Sequence, residues 1–278
     1  MIAALLRLCR LYYAVPMSLA YALTLYYALG GQMEGAWLGA AVSTAALALV
    51  IAAAYVLNDV CDLAADRVNA PRRMIAAGRV SRRAAAVWGA ALLAGGLALA
   101  TAARWQFLAA LAAVAAGLVL YDLFSKRLGV AKPLAVAALM TSMYLLAIAQ
   151  AGGAGGSRAG ALPVFAAWMF LTAFGYEVLK DIRDIPGDRA GGGSATPVQL
   201  RPRLWRGIAS AVVPAAAMLL VAPAFLGCGW LYVAAALPAV AAAAVSVFLP
   251  VRVAIMAVYA ECFLVGVAAT ADPLILGF

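Results

Sequence analysis

The sequence predicts an all-α polytopic membrane protein with about nine transmembrane helices. Three observations lead there. Of 278 residues, 68% are hydrophobic and 11% charged, against about 45–50% and about 25% in a soluble globular domain. Apolar runs recur along the chain at the ~20-residue length that spans a bilayer core as a helix. The basic residues also concentrate in alternate loops, a bias that a membrane imposes and a soluble fold does not.

The expected spans cover residues 11–29, 36–57, 84–103, 105–122, 133–151, 161–180, 206–226, 229–249 and 251–271. The first is read as a retained span, because no small-residue cleavage site followed by a soluble domain lies after it. The linker Gly152–Ser157 reads as a flexible turn, since a lone glycine-rich stretch without a following basic helix start is no phosphate loop. Residues 1–278 read as a single domain.

Counting loops from the N-terminus, the alternate ones hold Arg7 and Arg10, then Arg67, Arg72, Arg73, Arg79, Arg82 and Arg83. Lys126, Arg127 and Lys132 follow, then Lys180, Arg183, Arg189, Arg201, Arg203 and Arg206, and last Arg252. That is 18 of the 20 basic residues, with only Arg104 and Arg158 on the other side. Positive residues mark the cytoplasmic side. A multi-pass protein with a cytoplasmic N-terminus and an external C-terminus is therefore expected, in the plasma membrane if the cell is prokaryotic. The net charge of +9 is explained by topology, and no nucleic acid partner is expected. The bilayer itself is the expected partner.

Cys9, Cys61, Cys228 and Cys262 are isolated, which speaks against a disulfide framework or a thiolate metal site. The chain has no histidine, which excludes imidazole-ligated haem or zinc and a histidine general base.

Seven of the eleven acidic residues fall in two short segments, one with Asp59, Asp62 and Asp66, the other with Glu177, Asp181, Asp184 and Asp188. On a continuous helix each aspartate triplet would share one face, within roughly 60°. Like charges at that spacing repel, and cytoplasmic loops otherwise select Lys and Arg, so a ligand must account for both clusters. Each third aspartate is followed by arginine, Arg67 or Arg189, and Asn58 stands where the second copy has Lys180, which suggests an internal pseudo-repeat. Oxygen-only ligands favour a hard cation, Mg²⁺, and a pair of ions is expected. Mg²⁺ keeps only one or two protein carboxylates and takes phosphate oxygens readily, while Asn58, Arg72, Arg73, Lys126 and Lys180 could hold the same anion. A diphosphate at a membrane face points to an isoprenyl diphosphate whose tail lies in the bilayer. Metals there would make the diphosphate a leaving group as the allylic C–O bond breaks.

The segment Asn58-Asp59-x-x-Asp62-x-x-x-Asp66-x-x-Asn69-x-Pro71-x-Arg73, ending at Gly78, resembles the first signature of the UbiA-type intramembrane prenyltransferase superfamily. Tyr176-x-x-x-Lys180-Asp181-x-x-Asp184-x-x-Gly187-Asp188 resembles the second, and Tyr121-x-x-x-x-Lys126-Arg127 resembles the family's basic element between the fourth and fifth spans. The resemblance covers nearly the whole chain. It implies a ring of helices around a central cavity, capped by the cytoplasmic loops. It also implies catalytic, metal-binding roles for Asp59, Asp62, Asp66, Asp181, Asp184 and Asp188, and transfer of the isoprenyl chain to a lipophilic or aromatic acceptor. Met74 stands where the family usually has proline. The second motif is closer to the archaeal ether-lipid, homogentisate and chlorophyll branches than to the 4-hydroxybenzoate branch, and the lack of histidine disfavours the haem-farnesylating branch.

Two rival functions share some of these features. A membrane terpene cyclase would use the same metal site without a separate acceptor, and a cation-coupled transporter would spread its acids through the midplane. Arg10 and Glu261 are candidate acceptor ligands. Tyr12 and Tyr13 read as interfacial anchors, and Asp122 as a helix-end residue beside Lys126. Phe165, Trp168, Phe170 and Phe174 are expected to face lipid more readily than a channel.

Both clusters can serve one ligand only from the same aqueous side. Single cysteines at Ala65 and Ala190, in a cysteine-free background, should be shielded from an impermeant thiol reagent in intact cells, while one at Gly155 should react. Labelling of the first two on opposite sides would put the span count wrong by one.

Overall fold

The computed structural model describes residues 2–125, 128–190 and 196–277. In chain order the helices are α1 (Ile2–Leu8), α2 (Leu11–Ala28), α3 (Trp37–Cys61), α4 (Leu63–Asn69), α5 (Arg82–Ala100) and α6 (Trp105–Phe124). Then come α7 (Ala131–Ala151), α8 (Ala161–Ala190), α9 (Pro197–Leu200), α10 (Pro202–Met218) with a 3₁₀ extension (Leu219–Phe225), α11 (Trp230–Ser246) and α12 (Val251–Leu276). Seven of these elements are long and apolar enough to span a membrane, and the pair α1–α2, bent by 53°, makes an eighth. Helix α11 is apolar but only 17 residues long. The nine expected spans therefore correspond to nine apolar elements, the ninth being short for a full crossing.

Packing closes these elements into a ring. Helices α2 and α3 pack together, as do α3 with α5 and α6, α6 with α7, α7 with α8, α8 with α10, α10 with α11, and α11 with α12. Helix α12 then returns to α2. Small residues let backbones approach, which is how helices associate where lipid offers no hydrophobic drive. At Gly96 of α5 an added Cβ would stand 2.9 Å from the Ala46 carbonyl oxygen of α3.

Helix α8 is the most buried span. At 30 residues it is about 45 Å long, more than the ~30 Å hydrocarbon core, so its last turns stand clear of the bilayer interior. Its aromatics correct one expectation. Phe165 and Trp168 are buried in the bundle, packed against α12 and its neighbours, and do not face lipid. Hydropathy cannot separate the two cases, because lipid and bundle interior are equally apolar.

A second, smaller core lies under the loop after α4. Leu8, Cys9, Ala52, Val56, Ile75, Val80 and Ala85 form it, and it pins residues 70–81 onto α1, α3 and α5. Ser81 then caps α5 by accepting from the Ala84 N–H at 3.2 Å. Ala65 is buried as well, so the labelling site on this segment belongs at its exposed neighbour Ala64.

At the opposite end of the bundle Arg158, one of the two exceptions to the basic-residue bias, is buried and paired with Asp272 at 2.9 Å. It also donates to the carbonyls of Gly227 and Gly277. Asp272 accepts from the N–H groups of Gly229 and Tyr232, satisfying the first turn of α11. The exception is a structural clamp, and the charge bias of the loops is unaffected by it.

Candidate active site

The first carboxylate cluster lies where α3 ends. Asp62 has φ −96° and ψ 12°, outside the helical region, and separates α3 from α4. The three aspartates therefore do not share one continuous helix face, as their spacing suggested. Asp59 and Asp66 are buried and both turn towards Arg73, which pairs with Asp66 and lies 3.4 Å from Asp59. Asp62 is half-buried and accepts from Asn58 Nδ2 at 3.1 Å. The same Nδ2 reaches Asp122 Oδ1 at 3.3 Å, so Asp122, in the last turn of α6 as its helix-end reading expected, also belongs to this group. Burial pushes the Asp66 carboxyl above its ordinary range, and the Arg73 guanidinium only partly offsets this.

The second cluster lies on the projecting end of α8. Asp181 is buried and pairs with Lys132 of α7. Its other oxygen, Oδ2, is buried without a hydrogen-bond partner among the described residues. Asp184 takes both arms of Arg183 at 2.7 Å, and Asp188 accepts from Gln199 of α9 at 2.6 Å. Lys180 pairs with buried Glu177 at 2.7 Å and lies over the Tyr176 ring. Tyr121, at the end of α6, lies within electrostatic range of Asp62, Asp122, Glu177 and Asp181, and α4 packs against α8. Lys126 and Arg127 lie outside the described residues.

The buried aspartates draw their cations from elsewhere in the chain. Asp59 pairs with Arg10 at the α1–α2 elbow, Asp66 with Arg73 in the following loop, and Asp181 with Lys132. Arg10 is the one non-glycine residue with positive φ among the described residues, at φ 45° and ψ 53°. That left-handed backbone aims its guanidinium at Asp59, and it also lies 5.2 Å from the Tyr55 ring centre. Lys132 was visible in the sequence only as a loop charge. A better signal was its place in the first turn of α7, where the helix dipole disfavours a cation unless an acid is near.

The clusters are tied by one carboxamide. Asn69, the last residue of α4, donates from Nδ2 to the Asp184 carbonyl at 2.8 Å, and its Oδ1 accepts from the Gly187 N–H at 2.9 Å. The two contacts straddle Pro186, which has no N–H to give to the helix. A Cβ at Gly187 would collide with the Asn69 side chain and come within 2.6 Å of the Ala65 carbonyl oxygen. Of the other expected residues, Arg72 is exposed at a cavity mouth. Glu261 is fully buried, accepting from Trp168 Nε1 at 2.8 Å and lying 3.5 Å from Thr172. Thr172 precedes Asp181 by nine positions on α8, about 13 Å along the axis, so Glu261 is not joined to the clusters.

The donor set fits a hard cation. Every candidate ligand is a carboxylate oxygen, and the orphaned Asp181 oxygen calls for a positive partner. Among the described residues no three acidic or cysteine side chains converge into a complete cage. Mg²⁺ does not require one, since it binds through one or two carboxylates plus substrate phosphates.

A model of the UbiA prenyltransferase family matches residues 15–269. The chain is 40% identical over 152 residues to the digeranylgeranylglyceryl phosphate synthase of Methanoculleus marisnigri, covering 55% of this chain and 53% of that protein. To the protein of the same name from Methanopyrus kandleri it is 33% identical over 208 residues, covering 73% of each. The chain thus spans about half the length of the first relative and nearly three quarters of the second. Its fold matches that of a UbiA homolog from Archaeoglobus fulgidus bound to GPP and Mg²⁺, with a TM-score of 0.67 and 16% identity over 95% of this chain and 99% of that one.

The Asn69 contacts make a structural prediction. Asn69→Ala removes a donor and an acceptor at once, and Gly187→Ala forces the carboxamide aside. Each should destabilise the folded protein by about 1–3 kcal/mol. Each should also broaden the distance between spin labels at exposed positions 67 and 189. Unchanged label distances in both variants would show that α4 and α8 are held by something else.

Proposed function

The chain belongs to the UbiA prenyltransferase family, and from that premise we propose a Mg²⁺-dependent transfer of an isoprenyl chain from its diphosphate to a lipophilic acceptor. The observation that carries this reading is that buried Asp59, Asp66 and Asp181 are each paired with a cation from outside their own cluster, while Asn69 ties the two clusters together. The whole chain acts as one such domain, with the clusters and the N-terminus on the cytoplasmic side. The digeranylgeranylglyceryl phosphate synthase relatives favour a lipid alcohol bearing a phosphate over an aromatic acceptor.

Asp59, Asp62 and Asp66 from the first cluster, and Asp181, Asp184 and Asp188 from the second, would hold the metals and through them the diphosphate. A pair of Mg²⁺ ions, when bound, neutralises the diphosphate and makes it a leaving group. Arg73, Lys132 and Lys180 lie beside these carboxylates and donate charge-assisted hydrogen bonds to the phosphate oxygens. The C1–O bond of the donor breaks, its electron pair leaves with the diphosphate, and the allylic cation is captured by the acceptor oxygen. The acceptor proton passes to the departing diphosphate or to a neighbouring carboxylate. Before substrate arrives, Arg10, Arg73 and Lys132 hold the buried carboxylates in place.

Activity in membranes given a panel of isoprenyl diphosphates and acceptors should vanish with EDTA and return with Mg²⁺. Full turnover in the chelator would end the metal-assisted mechanism. Product from the donor alone, as cyclic hydrocarbon or alcohol, would favour cyclisation instead.

Asp62→Ala and Asp184→Ala remove half-buried carboxylates, one from each cluster. Each should lower kcat by about 10²–10³-fold while expression and melting temperature stay near the parent values. Near-parent rates in both would mean that the clusters are not the reaction site.

A further inference from the structure

We infer that the cavity at the α1–α2 elbow is the seat of the acceptor's head group, a phosphate monoester held by Arg7, Arg72 and Arg252. This rests on the prenyl-transfer reading above and adds a subsite to it. The cavity has a volume of about 920 Å³. That is far more than a lone anion needs, and within the ~300–1,000 Å³ of small-molecule sites.

Its charges are unbalanced. Five arginines line it, Arg7, Arg10, Arg72, Arg73 and Arg252, against a single acid, Asp59. Arg10 and Arg73 are already committed to Asp59 and Asp66. Arg7, Arg72 and Arg252 have no carboxylate partner among the described residues. Arg252 stands in the first turn of α12, where the helix dipole opposes a cation and favours an anion. Three uncommitted guanidiniums suit a ligand of nearly two negative charges with three acceptor oxygens, which describes a phosphate monoester better than a carboxylate.

The walls specify the rest of the ligand. Leu6, Leu8, Leu11, Tyr12, Pro71 and Met74 are apolar, and Leu6, Leu11 and Tyr12 are also widely exposed along the outer face of the elbow. The occupant therefore has an anionic head and an apolar body that continues into lipid. Of the six aspartates assigned to the donor's metals only Asp59 lines this cavity, so the cavity adjoins the donor site without being the donor site itself. Asp59 closes the inner end of the cavity, so an acceptor lying in it points its hydroxyl towards the carboxylate clusters and its phosphate towards the mouth. Tyr259 of α12 donates to the Tyr12 carbonyl at 3.1 Å, which fixes the α12 wall against the elbow.

The test uses the full chain in zwitterionic nanodiscs, with an alkylglyceryl phosphate and the same lipid lacking its phosphate. In EDTA, a fluorescent alkylglyceryl phosphate should bind the parent protein and bind Arg7→Gln/Arg252→Gln at least about tenfold more weakly, as expected for losing charged hydrogen bonds. Arg7→Lys/Arg252→Lys should recover part of that loss, which separates head-group recognition from misfolding. In turnover with Mg²⁺, the parent should prefer the phosphorylated acceptor in kcat/KM by at least about tenfold. The glutamine variant should lose that preference while the donor KM moves by less than about threefold. Inorganic phosphate should compete at least about a hundredfold more weakly than the lipid. Equal competition by inorganic phosphate, a preference retained in the glutamine variant, or a donor KM that rises with the acceptor KM would each overturn the subsite. A parent protein that prenylates no phosphorylated lipid but does prenylate an aromatic ring would instead overturn the acceptor class proposed above.

Discussion

Asn69 donates to the Asp184 carbonyl and accepts from the Gly187 N–H, so a single carboxamide sets the distance between the two carboxylate-bearing segments. Direct packing of α4 on α8, with Gly187 against the Ala65 carbonyl, supports the same spacing. Helix α4 has only seven residues, too few to be stable alone, and α8 is weakened at Pro186, where a backbone donor is missing. The carboxamide engages α8 beside that weak point, on either side of the proline. This relation also accounts for Gly187, since any side chain there would occupy the place of Asn69. The spacing of the second motif is thus partly a packing rule between two helices as well as a list of ligands.

Most of the architecture was legible in the amino-acid order because hydropathy and loop charge are governed by the bilayer, which acts residue by residue. The spans, their sequence and the two acidic segments all follow from it. What the sequence could not convey is where a helix stops and which way a side chain turns. The spacing of Asp59, Asp62 and Asp66 implied one face only on the assumption of an unbroken helix, and the break at Asp62 removes that assumption. Phe165 and Trp168 were assigned to lipid because apolar surroundings of either kind select the same residues. Pairings such as Lys132 with Asp181 join positions 49 residues apart, and no local pattern encodes them.

The cations of the site also belong to the loops whose charge bias suggests orientation. Arg10, Arg73, Lys132 and Lys180 serve both purposes, and this overlap explains why a strongly basic chain can hold so many acids at one end. Of the two basic residues on the opposite side, Arg158 is spent on Asp272 and backbone carbonyls. Its charge is neutralised within the bundle and does not compete with the loops.

The left-handed backbone at Arg10 has a mechanical meaning. Only glycine, and to a lesser degree asparagine and aspartate, enter that region without a cost of about 1–2 kcal/mol, and none of them carries a positive charge. The elbow is therefore a sprung joint, latched by the attraction between Arg10 and Asp59. Its bend is coupled to the charge on one carboxylate, and whatever draws that charge away slackens the latch. The elbow between α1 and α2 is in this way tied to a buried carboxylate near the end of α3.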